Sequence, residues 1–118
     1  MLERREEQTC RVRDLLGRVG DKWTLTVLAE LGQGRHRFTE LKRAIPGVSQ
    51  RMLTATLRAL ERDGLVRRTV HPVVPPRVEY ELTRLGYSLL ESAWPLMNWV
   101  LSHVSDIDQA RVEYDERD

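Results

Sequence analysis

Six side chains in the middle of the chain can contact DNA and recur at helical spacing: Ser49, Gln50, Arg51, Thr54, Ala55 and Arg58. In a major groove, Arg51 and Arg58 can each donate a pair of hydrogen bonds to guanine, and Gln50 can pair with adenine. Thr54 and Ala55 can touch a thymine methyl group. The chemistry that this pattern predicts is recognition of double-stranded DNA.

A helix must hold these side chains, and the sequence supplies its start, its buried side and its end. Ser49 can accept a hydrogen bond at a helix N-terminus, and Gly64 can adopt the left-handed conformation that ends a helix. The apolar positions fall on the side away from the arginines: Met52, Leu53, Leu57 and Leu60. Taken alone, the segment also fits a surface helix whose arginines are only solvated.

The segments before this helix predict a helix-turn-helix order. Residues 10–19 have the spacing of a short amphipathic helix, and Asp21 can cap a second helix over 22–31. Residues 35–38 can add one rung to a small sheet, and residues 39–45 predict a third helix. Pro46 and Gly47 then break the chain before the arginine-bearing helix. A short helix, a tight turn and a second helix are typical of helix-turn-helix proteins.

The residue pattern changes after Gly64 and predicts a β-hairpin, or wing. Residues 65–70 are rich in β-branched side chains, and residues 78–82 alternate apolar with acidic ones. The segment 71–77 between them contains three prolines and is predicted not to pair. The fold class is therefore predicted as mostly helical α+β, a winged helix-turn-helix with a two-stranded β-wing and additional terminal helices for dimerisation.

A second set of side chains outside the central helix carries charges or hydroxyl groups suited to DNA: Lys22, Thr24, Arg37, Thr39, His71 and Arg77. Lys22 and Thr24 lie at a predicted helix N-terminus, where free amides favour phosphate. His71 and Arg77 flank the wing loop, from which they could reach a minor groove or the DNA backbone.

A long apolar pattern follows Thr83, a predicted helix cap, and exceeds what one small core needs. The positions predicted to form a dimer interface are Leu90, Trp94, Met97, Leu101 and Val104. Large apolar surface seldom stays exposed on a monomer, although packing within the chain is the alternative. Pro95 either kinks one helix here or starts a second.

Four segments follow from these patterns. Residues 1–9 are a polar N-terminal extension, loose or helical, that contributes to the dimer. Residues 10–86 form the winged-helix DNA-binding domain and residues 87–105 the dimerisation helix region. Residues 106–118 are an acidic C-terminal tail, polar and frayed at its end.

Charge is distributed unevenly along the 118 residues, although the net charge is only +1. From Gln33 to Val70 there are nine Lys or Arg against three Asp or Glu, whereas residues 103–118 hold six acids against two bases. A basic middle of this kind indicates a phosphate-bearing partner.

Other classes of protein are disfavoured by the sequence. No apolar run reaches the length of a membrane span, and the charged first residues argue against export. A single cysteine is consistent with a reducing cytoplasm, which is the predicted location. No catalytic residue, metal site or cofactor is predicted, because the histidines lack the spacing of a metal site or triad and no Gly-rich phosphate loop is present. Glu79 and Glu81 are expected to be solvated or paired with arginines.

Five runs of sequence together closely resemble the HxlR-type winged-helix transcriptional regulators: 19–24, 37–41, 46–54, 57–66 and 75–86. The most specific are Gly-Asp-Lys-Trp at 20–23, Arg-Phe-Thr-Glu-Leu at 37–41 and Pro-Arg-Val-Glu-Tyr at 76–80. The similarity covers roughly residues 10–100. It implies a homodimeric DNA-binding regulator whose terminal helices form the dimer contact.

The resemblance also draws attention to Cys10, because some members of that family sense oxidants or electrophiles with a cysteine at the head of the first helix. Members commonly have Cys-Pro there, whereas Arg11 follows Cys10 in this chain. Arg11, Arg13 and a helix start would favour the reactive thiolate. Cys10 is thus a candidate redox sensor, with an inert thiol as the alternative.

The predicted function is a sequence-specific transcriptional regulator, repressor or activator, that binds an inverted-repeat operator as a homodimer. A thiol switch or a small-molecule effector would control it. Trp23, Trp94 and Trp99 could line an effector cavity, with core packing as the alternative. The rival function is a winged-helix protein-interaction module that docks an acidic partner.

Overall fold

The computed structural model describes residues 2–117, with side chains from residue 4 onward. In chain order the elements are α1 (Leu2–Val19), α2 (Lys22–Leu31), β1 (His36–Arg37), α3 (Phe38–Ala44), α4 (Gln50–Arg62), β2 (Val66–His71), β3 (Arg77–Leu82) and α5 (Arg84–Arg117). The predicted winged helix-turn-helix is confirmed. Met1 and Asp118, the outermost residues of the predicted extension and tail, lie outside the described residues.

The sheet has three antiparallel strands in the order β1-β3-β2, so β3 is central. β1 supplies the predicted single rung, in which Arg37 lies opposite Glu79. The ladder between β2 and β3 extends outward to the pair His71 and Arg77, which the sequence had placed in an unpaired loop. Both residues keep a backbone N–H, so the prolines interrupt the ladder only beyond them.

The helix-turn-helix consists of α3, a turn and α4. Gly47 has a φ of 84° in this turn, a conformation that favours glycine. The Ser49 hydroxyl accepts a hydrogen bond from the Met52 amide at 3.1 Å, which confirms the predicted helix cap. The prediction for the Met52 side chain was wrong, because it lies in the first turn of α4, beyond the edge of the core, and is 43% exposed.

The hydrophobic core forms around α2, which is buried on several sides as the sequence predicted. Its fully buried members come from α2, α3 and α4 and from the turn that follows α3: Val27, Leu28, Leu31, Leu41, Ile45, Leu53, Leu57 and Leu60. Val66 and Leu82 close the core from the sheet. Since α4 contributes three of these leucines, its opposite side is fixed toward solvent.

α5 is one helix of 34 residues with Pro95 inside it, so the alternative of two helices is not adopted. The predicted acidic segment is part of this helix as far as Arg117. At the other terminus, α1 begins at Leu2, and residues 2–9 adopt the helical alternative.

Thr83 joins the start of α5 to the end of α4. Its hydroxyl donates to the Gly64 carbonyl at 2.6 Å and accepts from the Gly86 amide at 3.1 Å. A Cβ on Gly86 would collide with the Leu65 carbonyl, so only glycine allows this close approach of the two segments.

Candidate nucleic-acid interface

The exposed side of α4 gathers the side chains that the sequence assigned to base recognition. An open surface depression is lined by Gln50, Arg51, Thr54, Ala55 and Arg58. Arg51 and Arg58 are exposed, and within residues 4–117 neither guanidinium forms an ion pair. All their donors are therefore available to an approaching ligand. Ser49 lies at the start of this surface, where its oxygen caps the helix and its O–H can still donate.

The start of α2 differs from the predicted phosphate site. The Asp21 carboxylate accepts hydrogen bonds from the amides of Trp23 and Thr24, at 2.9 and 3.3 Å. A fixed negative charge thus occupies the amides on which the prediction relied. Thr24 is only 2% exposed and so offers almost no surface to DNA, which contradicts its assignment to DNA contact.

Lys22 remains exposed at the same helix start, and its Nζ lies 4.9 Å from the centre of the Trp23 ring. Asp21, Trp23, Arg51 and Ala55 line a common cleft. The start of α2 therefore borders the exposed side of α4, and Lys22 is the side chain there that can still meet a phosphate.

The wing loop and the start of α3 form a second groove. It is lined by Arg37, Phe38 and Thr39 on one side and by residues 73–78 on the other. The structure thus brings together Arg37, Thr39 and Arg77, which are far apart in the sequence. His71 is only partly exposed, and its Nε2 is buried 3.3 Å from Glu79 Oε1 without hydrogen-bond geometry.

A charge cluster on the outer face of the sheet surrounds the two glutamates of β3. Arg35 donates to Glu79 at 3.3 Å and to Glu81 at 3.2 Å. The hydrogen bond and charge of Glu81, followed by those of Glu79, raise the pKa of Arg35 above its ordinary value. Arg77 Nε lies 3.0 Å from Glu79 Oε1, and Arg67 lies 3.8 Å from Glu81. The expectation that these glutamates pair with arginines is confirmed.

Arg35 is the member of this cluster that the sequence analysis missed. The alternation of Glu79 and Glu81 along one strand placed both carboxylates on one face. Arg35 reaches them only because β1 pairs with β3, a contact between residues more than forty positions apart. Periodicity within a segment carries no information on such pairing.

Cys10 is exposed on α1, where it borders a shallow depression together with Glu6, Glu7 and Arg11. Because α1 begins at Leu2, Cys10 lies in the middle of the helix. The predicted position of Cys10 at the start of a helix was therefore wrong.

The five positions assigned to a dimer interface lie along α5. Leu90 and Met97 are partly buried, whereas Trp94, Leu101 and Val104 are exposed, Leu101 by 73%. On α1, Val12, Leu15 and Leu16 are also exposed. Both terminal helices thus present apolar side chains that the described chain leaves uncovered.

The tryptophans do not converge on one cavity. Trp23 lies beside Asp21 and Met52, whereas Trp94 lies beside Leu90 in a groove between α2 and α5. Trp99 stacks on His103 with ring centres 4.5 Å apart. Among the side chains of residues 4–117, no cluster of three His, Cys, Asp or Glu could hold a metal ion. None of the helices in that range has the length and apolarity to cross a membrane.

Comparison with known proteins places these features in a family. The family model described as HxlR-like helix-turn-helix matches residues 18–108. The HTH-type transcriptional regulator YtfH of Escherichia coli (strain K12) is 41% identical over 106 residues, which cover 90% of this chain and 84% of that protein.

Solved structures show the same similarity. Transcriptional regulator ytfH from Salmonella typhimurium has a TM-score of 0.78 at 39% identity, over 85% of this chain and 89% of that one. The redox regulator HypR in its reduced form has a TM-score of 0.76 at 37% identity, over 84% and 98%. In its oxidized form the TM-score is 0.71 at 41% identity, over 79% and 96%. This chain belongs to the HxlR-like helix-turn-helix family of transcriptional regulators and is not an enzyme.

Proposed function

We propose that this regulator binds an inverted-repeat operator as a homodimer and reads its sequence with α4. The observation that carries the proposal is the two-sidedness of α4. Leu53, Leu57 and Leu60 are buried in the core, whereas Arg51 and Arg58 are exposed without an ion pair in the described chain. A helix held rigidly by one face presents its other face to a major groove.

Contacts around α4 would add affinity without sequence preference. Lys22 lies at one side of the helix, and Arg37, Thr39 and Arg77 line the groove at the wing. These groups suit phosphates, which position a protein on DNA without reading its sequence. Since each neutralised phosphate releases counterions, the affinity should fall steeply with rising salt concentration.

The homodimer is supported by the uncovered apolar side chains of the terminal helices. Val12, Leu15 and Leu16 on α1, and Trp94 and Leu101 on α5, are all exposed. A second copy that covered them would present α4 twice. Two such helices, about 34 Å or one turn of DNA apart, would enter successive major grooves of an inverted repeat.

Control by a thiol switch is supported by the exposure of Cys10 on α1 and by the similarity to HypR, which is a redox regulator. In the proposed step, two Cys10 thiols from the two protomers lose two electrons and two protons to an oxidant. One S–S bond forms between them, and the oxidant is reduced. A small molecule that binds between the terminal helices could act on the same dimer geometry.

The test is selection of bound fragments from sheared genomic DNA, followed by titration of the recovered site at several salt concentrations. Recovery of an inverted repeat, bound by two protomers with a steep salt dependence, is the expected result. Equal affinity for all fragments would contradict sequence reading. The rival function as a docking module for an acidic protein would be favoured if no DNA were retained at moderate salt.

A further inference from the structure

Glu79, in the stem of the wing, contacts more basic side chains than any other acidic side chain for which ion pairs are described. Glu79 Oε2 lies 3.3 Å from Arg35 Nη1, and Glu79 Oε1 lies 3.0 Å from Arg77 Nε and 3.3 Å from His71 Nε2. Its side chain is only 13% exposed. Both oxygens therefore face basic groups, and the carboxylate has little contact with solvent.

The three basic groups come from different parts of the fold. Arg35 precedes β1, His71 ends β2 and Arg77 begins β3. Glu79 also lies opposite Arg37 in the sheet, and Arg37 marks the start of α3. One carboxylate thus links the stem of the wing to the segment that leads into the helix-turn-helix.

Arg77 is held by this carboxylate on one side only. A guanidinium carries five N–H donors in a planar fork, and the Arg77 side chain is 42% exposed to solvent. It also lines the groove between the wing loop and α3, together with Arg37 and Thr39. The donors that Glu79 does not use can therefore be directed at a ligand in that groove.

We infer that Glu79 is a positioning residue, which orients Arg77 toward a DNA phosphate at the wing. The inference rests on the proposed function. It has an unusual consequence, since an acidic group near DNA ordinarily weakens binding by repulsion. If Glu79 positions Arg77, removal of the carboxylate must weaken binding instead, because a freely rotating side chain loses entropy when a phosphate orders it.

The test is Glu79→Gln, titrated against the selected operator by fluorescence anisotropy over a range of salt concentrations. We expect roughly three- to tenfold weaker binding, as for the loss of one charge-assisted contact. The slope of log affinity against log salt should fall by about 0.9, equivalent to one phosphate contact. In an Arg77→Ala background, Glu79→Gln should have little further effect.

The matched control is Glu81→Gln, which makes the same charge change two positions along the same strand. Glu81 holds Arg35 and Arg67 but not Arg77 or His71. Its neutralisation should leave operator affinity unchanged or raise it. Glu79→Asp retains the charge but retracts the carboxylate, so it should bind as weakly as Glu79→Gln. If Glu79→Gln has an altered melting temperature, Glu79→Asp is the variant that tests the positioning role.

The outcomes separate this inference from the proposed function. If the wild-type protein binds its operator and Glu79→Gln binds as tightly or more tightly, the positioning role is overturned and the proposed function stands. Weaker binding by Glu79→Gln with an unchanged slope of log affinity against log salt would also overturn the positioning role. If the wild-type protein retains no DNA, the proposed function fails, and this inference fails with it.

Discussion

Arg18 Nε lies 3.4 Å from Asp63 Oδ2, so the last turn of α1 is tied to the residue that ends α4. Both side chains are partly exposed, by 40% and 26%. This ion pair is a direct link between the helix that carries Cys10 and the helix proposed to read DNA. The free energy of this ion pair determines how strongly the two helices are coupled.

We expect a weak coupling between Arg18 and Asp63. Exposed ion pairs contribute about 0.2–1 kcal/mol, because water and salt screen the charges. A double-mutant cycle with Arg18→Ala and Asp63→Ala, measured by urea unfolding, should give a value in that range and a smaller one in high salt. A coupling of several kcal/mol, insensitive to salt, would contradict this expectation.

Substitutions of Asp21 distinguish the contribution of its helix cap to stability from the effect of its negative charge on DNA binding. Asn caps a helix about as well as Asp, so Asp21→Asn should change the free energy of unfolding by less than about 0.5 kcal/mol. It should also tighten DNA binding, because a negative charge beside Arg51 is removed. Asp21→Ala, as a control, should cost about 1 kcal/mol of stability. Weaker binding of Asp21→Asn would show that this carboxylate does not face DNA.

The exposed guanidinium of Arg58 should carry sequence preference. Arg58→Ala should weaken binding to the selected operator by about 1–3 kcal/mol and relax the preference at one base pair. Arg62→Ala, one turn further along α4, should reduce affinity slightly and equally for all sequences. Anisotropy titrations against the operator and its single-base variants measure both effects. Unchanged operator affinity of Arg58→Ala would remove this residue from the base contacts.

A charge placed on the apolar side of α5 should dissociate the proposed dimer. Leu101→Asp would put an unpaired carboxylate into the proposed interface, which is unfavourable in an apolar environment. We expect sedimentation analysis to give a dimer for the wild-type protein and a monomer for the variant, together with loss of operator binding. Leu96 is also exposed but lies on another side of the helix, so Leu96→Asp should remain dimeric. If the Leu101→Asp variant remained a dimer, Leu101 would be excluded from the interface.

The response to oxidant should depend on Cys10, which is the only cysteine in the chain. Diamide should convert the wild-type dimer to a disulfide-linked species on a non-reducing gel and change its operator affinity. Cys10→Ser should show neither effect, and a reductant should restore the wild-type behaviour. An identical response of the two proteins would eliminate Cys10 as the sensor.

Much of the fold was predictable because its signals are local. Ser49, Gly64 and the leucines of α4 lie within one segment, and capping and periodicity predicted its start, its end and its buried side. The wing was predictable for the same reason, from β-branched runs that flank prolines. The core side of α2 followed from its apolar residues.

The features that sequence analysis missed depend on contacts between distant segments or on where a helix begins. The burial of Thr24 is set by the packing of α2, and the position of Cys10 changed because α1 starts at Leu2. α5 runs through Pro95 as one helix, an outcome that the sequence left open because a proline can either kink a helix or begin a new one. The Arg35 cluster required the pairing of β1 with β3.

The hydroxyl of Thr83 has a mechanical consequence for regulation. It donates a hydrogen bond to the Gly64 carbonyl, just after α4, and accepts one from the Gly86 amide in the first turn of α5. A pivot of α5 about its first turn must therefore either carry the exit of α4 with it or break this short bond. The far end of α5 is thereby connected to α4, the helix proposed to read DNA, by a route that does not involve the wing.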